Sequence, residues 1–295
     1  MGEFDDAALA RYRGVAELAV GVGARVVAEA WGKSAAPEPS KGFGDYVTAA
    51  DRESEAAMTE LLGRLTPDIP VLGEEAGGEH GETFWAVDPL DGTTNFLIGF
   101  PVVAVSAALI SAGSVWASAV RAPLLDFAAS AARGQGAWAG DRRLEVSTRG
   151  PEQAIVATAL PFRARELLPR YGPVLQRVFD RTEDIRRAGA AELDLAWVAS
   201  GVFDGYFELN LSIWDIAAGS LLVEEAGGVV TDWEGEDGYL TSGNVLAGSP
   251  LTHPVLLEAA TRQDSTQNVS RFEPTSVGVP AAEEDESGWP DEPEP

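Results

Sequence analysis

The sequence predicts a mixed α/β fold without strict βαβ regularity, on three observations. Apolar residues at helical three-and-four spacing alternate along the chain with short runs rich in valine, isoleucine and aromatic residues. Glycine and proline punctuate the transitions, as where Gly227-Gly228 stands directly before Val229-Val230-Thr231. At 295 residues, 45% hydrophobic and with a mean hydropathy of −0.04, the chain can bury one large core or two smaller ones.

The elements follow in order. Leu9, Val15, Leu18, Val22 and Val26 line one face of a first helix between Asp5 and Trp31. A loop is expected from Ala35 to Gly44, and Thr48-Ala-Ala-Asp51 reads as a capping box opening a second helix that runs to Leu65 and ends at Thr66-Pro67-Asp68. Strand signals follow at Val71-Leu72, Phe84 to Val87, Val102 to Ile110 and Trp116 to Val120, with Gly134, Gly136 and Gly140 suiting tight turns near the end of that sheet. Beyond Pro151 the pattern predicts a strand (Ala154 to Ala159), helices over Glu166 to Asp180 and Glu192 to Ser200, and a strand from Phe203 to Leu209. A helix from Ile216 to Glu225 and the strand at 229–231 complete the series. The tryptophans at 85, 116, 138, 197, 214 and 233 fall mostly in apolar runs and are expected in the core. Residues 263–295 lose all periodicity and are rich in Pro, Glu, Asp and Ser, so a disordered acidic tail is expected. The organisation predicted is an N-terminal half over 1–150, a C-terminal half over 151–262, and that tail.

Composition narrows the chemistry. With no cysteine, disulfides, thiolate metal sites and cysteine nucleophiles are excluded, and His80 and His253, far apart and outside any motif, read as surface or satisfied core residues. A net charge of −26 argues against nucleic acid as a general partner. The longest apolar runs fall short of the roughly 20 residues of a bilayer span, no leader pattern is visible, and the expected location is the cytoplasm. Only Lys33 and Lys41 are lysines; acid excess with lysine poverty suits a high-salt protein or a GC-rich genome.

The densest chemical signal is Asp88-Pro89-Leu90-Asp91-Gly92-Thr93-Thr94-Asn95-Phe96, expected just after an apolar strand. Two acids three residues apart at a strand end can aim both carboxylates and a carbonyl at one point, Gly92 permits close backbone approach and Thr93 adds a hydroxyl. Such carboxylates repel one another where the dielectric is low, which a hard cation such as magnesium would relieve. Gly73-Glu74-Glu75 could add a carboxylate, although alone it reads as a solvated charge pair. Asp215 in Trp214-Asp215-Ile216-Ala217-Ala218-Gly219 reads alone as an acid at a helix start.

Together these three segments resemble the inositol monophosphatase family, as do Lys41 with Asp45, Val47-Thr48-Ala49-Ala50-Asp51, and Gly189 to Ala196. The resemblance runs from about residue 5 to 262 and implies an alternating αβαβα sandwich of two halves. It implies that Glu74, Asp88, Asp91, Asp215 and the Leu90 carbonyl hold two or three magnesium ions. Glu74 and Thr93 would activate a water for in-line attack on phosphorus, Asp51 would support Thr93, and Asp215 would position a water that protonates the leaving group. Substrate contacts are implied at Asp91, Gly92, Thr93, Gly189, Ala190, Ala191, Glu208 and Asp215; Glu208 alone would read as an exposed strand acid. A homodimer and lithium inhibition are further implications.

The expected reaction is hydrolysis of a small phosphorylated polyol or sugar, foremost inositol monophosphate. The sequence departs from the commoner family pattern at Ala190, where Ser or Thr is frequent, and at Glu192, which replaces a small residue. Fructose 1,6-bisphosphate, histidinol phosphate and 3′-phosphoadenosine 5′-phosphate therefore stay open as substrates. So does a metal-binding regulatory protein without turnover. A covalent aspartyl mechanism fits poorly, because it uses Asp-x-Asp whereas the spacing here is Asp-x-x-Asp.

Overall fold

A computed structural model describes residues 4–33, 46–78 and 81–262 of the chain. The expected loop at Ala35 to Gly44, Lys41, Asp45, His80 and the acidic tail lie outside the described residues. Helix α1 (Asp6–Ala30) starts at Asp5, whose carboxylate accepts from the Ala8 amide at 2.7 Å. Helix α2 (Ala49–Leu65) opens on the expected capping box: the Ala50 amide donates to Thr48 Oγ1 (3.1 Å) and the Thr48 amide to Asp51 Oδ2 (2.9 Å).

Strands β1 (Val71–Gly73) and β2 (Thr83–Asp91) follow, then the short helix α3 (Thr93–Ile98) and strands β3 (Ala104–Ser111) and β4 (Ser114–Ala122). Three further strands, β5 (Phe127–Ala132), β6 (Ala137–Ala139) and β7 (Arg142–Arg143), complete a seven-stranded sheet in sequence order. Only β1 pairs in parallel. The turn glycines 134, 136 and 140 all take positive φ. Strand β2 runs four residues past the expected end at Val87, carrying the acidic motif into the sheet with a register shift between Asp88 and Asp91.

The second sheet is built from β8 (Ile155–Thr158), helix α4 (Leu168–Phe179), β9 (Asp184–Arg186), α5 (Ala191–Ala199), β10 (Gly205–Glu208), α6 (Ala217–Glu225), β11 (Val229–Thr231), α7 (Tyr239–Ser242), β12 (Val245–Gly248) and α8 (His253–Thr261). Its strand order is β11-β12-β10-β8-β9. Asp215, expected at a helix start, sits instead on a single 3₁₀ turn, Ile213–Asp215, that leads into α6.

Strand alternation sorts the core into layers. Trp85 and Val87 point to α1 and α2, whereas Phe84 and Ala86 point the other way, into a cluster shared with α5, α6, Ala157 and Tyr206. Val156 and Phe207 face the far side, against α4 and α8. Helix and sheet layers thus alternate as α, β, α, β, α, and the mixed α/β expectation holds. Trp85 and Trp233 are fully buried, while Trp116, Trp138, Trp197 and Trp214 are half-buried. His253 is buried, with Nε2 2.9 Å from the Thr231 hydroxyl, so it is a satisfied core residue. Among the described residues no helix is long and apolar enough to cross a membrane.

Candidate functional site

A cavity of about 470 Å³ lies where the end of β2, the start of α3, the start of α5, the end of β10 and the turn before α6 meet. Glu74, Asp88, Leu90, Asp91, Gly92, Thr93, Gly189, Ala190, Ala191, Glu208 and Asp215 all line it. Among the described residues implied as metal ligands, catalytic groups or substrate contacts, Asp51 alone stands behind the wall. It is fully buried and accepts from the Thr93 hydroxyl at 3.0 Å while also capping α2.

Local chemistry explains how each segment is held. The Asp88 carboxylate accepts from the Leu90 amide at 2.9 Å, which folds the motif back on itself. The Ser54 hydroxyl on α2 donates to the Pro89 carbonyl at 2.9 Å. The Thr93 hydroxyl lies 3.1 Å from the Leu90 carbonyl, the same carbonyl implied as a metal ligand. Gly92 caps α3 with φ +89°, and an added Cβ would lie 2.9 Å from the Val102 carbonyl oxygen.

Asp91 is gripped from across the molecule. Its two oxygens accept from the Ala191 amide (3.0 Å) and the Glu192 amide (2.8 Å) at the start of α5, where the helix dipole favours an anion. The Gly73-Glu74-Glu75 loop is held by Glu55, whose buried carboxylate accepts from the Glu75 amide (2.8 Å) and the Ala76 amide (2.7 Å). Asp215 Oδ2 accepts from the Ser212 amide at 2.7 Å, fixing the turn before α6.

The carboxylates are under electrostatic stress. Burial, then Asp215, pushes Glu74 up to about 9, and burial, then Asp215, pushes Asp91 up to about 7 against the pull of the α5 amides. Asp88 lies well above the usual range through burial, then the charges of Glu74 and Asp91. Glu74, Asp88 and Asp91, raised by burial and neighbouring negative charge, form with Asp215 a donor set of hard oxygens in one cavity, to which a divalent, oxygen-preferring cation such as magnesium is matched. Among the described residues no three of them already stand in a closed coordination cluster. The oxygen donors that line the cavity fit such a metal in chemical type.

The cavity carries residues that the sequence reading did not assign. Arg163 and Arg187 bring positive charge to its wall, the former opposing the rise of Glu74 and the latter that of Glu208 and Asp194. Burial pushes Glu208 up to about 8, opposed by the Tyr206 hydroxyl that donates to it. Asn95 donates from Nδ2 to the carbonyls of Val102 (2.8 Å) and Ala188 (2.9 Å), tying α3 to the loop that carries Gly189. Asn95 lay within the recognised string and could have been flagged; Glu55 shows no local signal, because its partners are 20 and 21 residues away.

Comparison with known proteins places the chain among relatives. A protein called putative Nus factor SuhB from Neisseria meningitidis serogroup B is 45% identical over 216 residues, 72% of this chain and 82% of that protein. The solved structure of extragenic suppressor protein SuhB from Bartonella henselae shares 39% identity at a TM-score of 0.81, covering 84% of this chain and 98% of that one. The inositol monophosphatase from Anabaena (Nostoc) shares 32% identity at a TM-score of 0.75, covering 84% and 94%. With the inositol monophosphatase family model matching residues 9–265, the chain belongs to the inositol monophosphatase family.

Proposed function

We propose that this protein is a magnesium-dependent phosphatase of small phosphate monoesters, with inositol monophosphate as the foremost substrate. The observation that carries this reading is the convergence of Glu74, Asp88, Asp91 and Asp215 on one cavity, where burial and neighbouring negative charge raise the carboxyls of Glu74, Asp88 and Asp91. Glu74, Asp88, the Leu90 carbonyl, Asp91 and Asp215 would hold two or three magnesium ions. When bound, the magnesium supplies positive charge for the phosphate and lowers the pKa of a coordinated water.

The chain's own residues do the rest. The Thr93 hydroxyl donates to Asp51, so its oxygen would accept a hydrogen bond that orients the attacking water, and the single proton that water loses would pass to the Glu74 carboxylate. The amides at the start of α3, which lack partners inside that helix, would donate to phosphate oxygens around Gly92, Thr93 and Thr94. Asp215 would place the water that protonates the departing alkoxide. Gly189, Ala190, Ala191 and Glu208 would line the polyol pocket, with Glu208 in contact with substrate hydroxyls. Residence in the cytoplasm and assembly as a homodimer belong to the same reading.

Phosphate release from inositol 1-phosphate, fructose 1,6-bisphosphate, histidinol phosphate and 3′-phosphoadenosine 5′-phosphate, each across a magnesium series, tests the reading. The expected outcome is magnesium-dependent turnover with inositol 1-phosphate preferred; a different preferred compound changes the substrate, and no turnover with magnesium still bound ends the enzymatic reading. Relatives named Nus factors favour a second reading, a Nus factor role for this chain that needs no turnover. The net charge of −26 argues that such a role would run through a protein partner.

A further inference from the structure

Glu192 is a fully buried acid that the proposed chemistry leaves unused, standing where the family resemblance leads one to expect a small residue. Its backbone amide donates to Asp91 Oδ2 at 2.8 Å. Its side chain turns the other way and reaches α6: Oε1 accepts from the Ala218 amide at 3.0 Å and Oε2 from the Gly219 amide. Those amides lie in the first turn of α6, three and four residues beyond Asp215, and would otherwise lack acceptors. One residue therefore grips the Asp91 carboxylate with its main chain and the helix start behind Asp215 with its side chain.

The packing between α5 and α6 is tight beside the carboxylate. An added Cβ at Gly219 would overlap both Leu195 Cβ and Glu192 Oε2, so the two helices meet closely at this point. Burial, then Asp91, pushes the Glu192 carboxyl well above its usual range, and the two α6 amides draw it down.

We propose that Glu192 is a positioning residue that locks Asp91 and Asp215 into one frame and thereby sets the affinity of the site for magnesium. This rests on the magnesium reading above. The competing explanation is a plain helix cap, which would contribute stability and nothing else.

The test is titration calorimetry of magnesium into the full chain and its Glu192→Gln and Glu192→Ala variants, with urea unfolding and steady-state kinetics on inositol 1-phosphate alongside. Glu192→Ala is expected to weaken magnesium binding about tenfold, as loss of a group that orients metal ligands does. Glu192→Gln, which keeps one acceptor, should fall between that variant and the parent. At saturating magnesium KM should stay near the parent value, because the defect lies in the metal frame rather than the substrate pocket. A lowered unfolding midpoint with unchanged magnesium affinity in the folded variants overturns the proposal. If Glu192→Ala does not fold, the glutamine variant decides. A parent that binds magnesium without turnover defeats the phosphatase reading while the calorimetry still decides the role of Glu192, and a parent that binds none defeats both.

Discussion

Gly92 sits between the acidic strand end and α3 with φ +89°, and space for a Cβ is closed by the Val102 carbonyl. Gly92→Ala is predicted to cost about 1–3 kcal/mol, the range for a non-glycine residue in a disfavoured backbone region, measurable as a lower urea midpoint. An unchanged midpoint would mean that the turn relaxes freely. Glu208 gives a pH prediction. Its folded pKa of about 8 lies above an unfolded value near 4.3, so the folded state holds a proton that the unfolded chain releases. Stability from this group is full below about pH 4 and is lost as pH rises from there toward 8. Urea unfolding in EDTA at pH 5 and pH 8 should show that fall, and Glu208→Gln should reduce it; an equal fall in the variant removes Glu208 as its source. Asp88, Asp91 and Thr93 stood out in the sequence because they share one short string, in which the Asp88 and Thr93 contacts to Leu90 close within three residues, whereas the grip of the α5 amides on Asp91 comes from 100 and 101 residues away. Glu55, Arg187 and Asp194 were not, since each acquires its meaning only from residues brought beside it by folding.

At the scale of elements, α2 is more than packing. Its first turn presents Asp51 to Thr93, its middle gives Ser54 to the Pro89 carbonyl, and its next residue, Glu55, holds the loop of Glu74. Glu55→Ala would leave two amides without their acceptor and let Glu74 move. The expected result is a magnesium concentration for half-maximal activity raised several-fold with KM little changed, read from phosphate release across a magnesium series; an unaltered magnesium curve would show that the loop holds itself. The capping box of α2 and the strand at 229–231 could be read in advance because capping chemistry and β-branched runs are local signals. Strand β5 could not: Phe127-Ala-Ala-Ser-Ala-Ala is poor in strand formers, and it is a strand because β4 and β6 pair with it on either side. Strand β2 also outran expectation, since pairing with β3 carries it through the acidic motif despite Pro89.

At the scale of the molecule, the alternating layers place charge-bearing strand ends and helix starts around one cavity while the inner strands β2, β3, β8, β10 and β12 stay buried on both faces. That is why the sheet regions read as almost continuous apolar runs and why the acids cluster at their ends. The −26 net charge should make the folded chain repel itself at low ionic strength. The melting temperature is predicted to rise between low and molar salt, and a flat or falling trend would detach the acid excess from any high-salt habitat. The central claim, that carboxylates gathered at this cavity hold magnesium for phosphate-ester hydrolysis, is tested most directly by one comparison. Magnesium-dependent phosphate release from inositol 1-phosphate is measured for the parent and for Asp91→Asn, with magnesium binding by calorimetry on the same samples. The account predicts turnover in the parent, with both activity and magnesium affinity lost in Asp91→Asn by at least about tenfold; equal activity in the two proteins would contradict it.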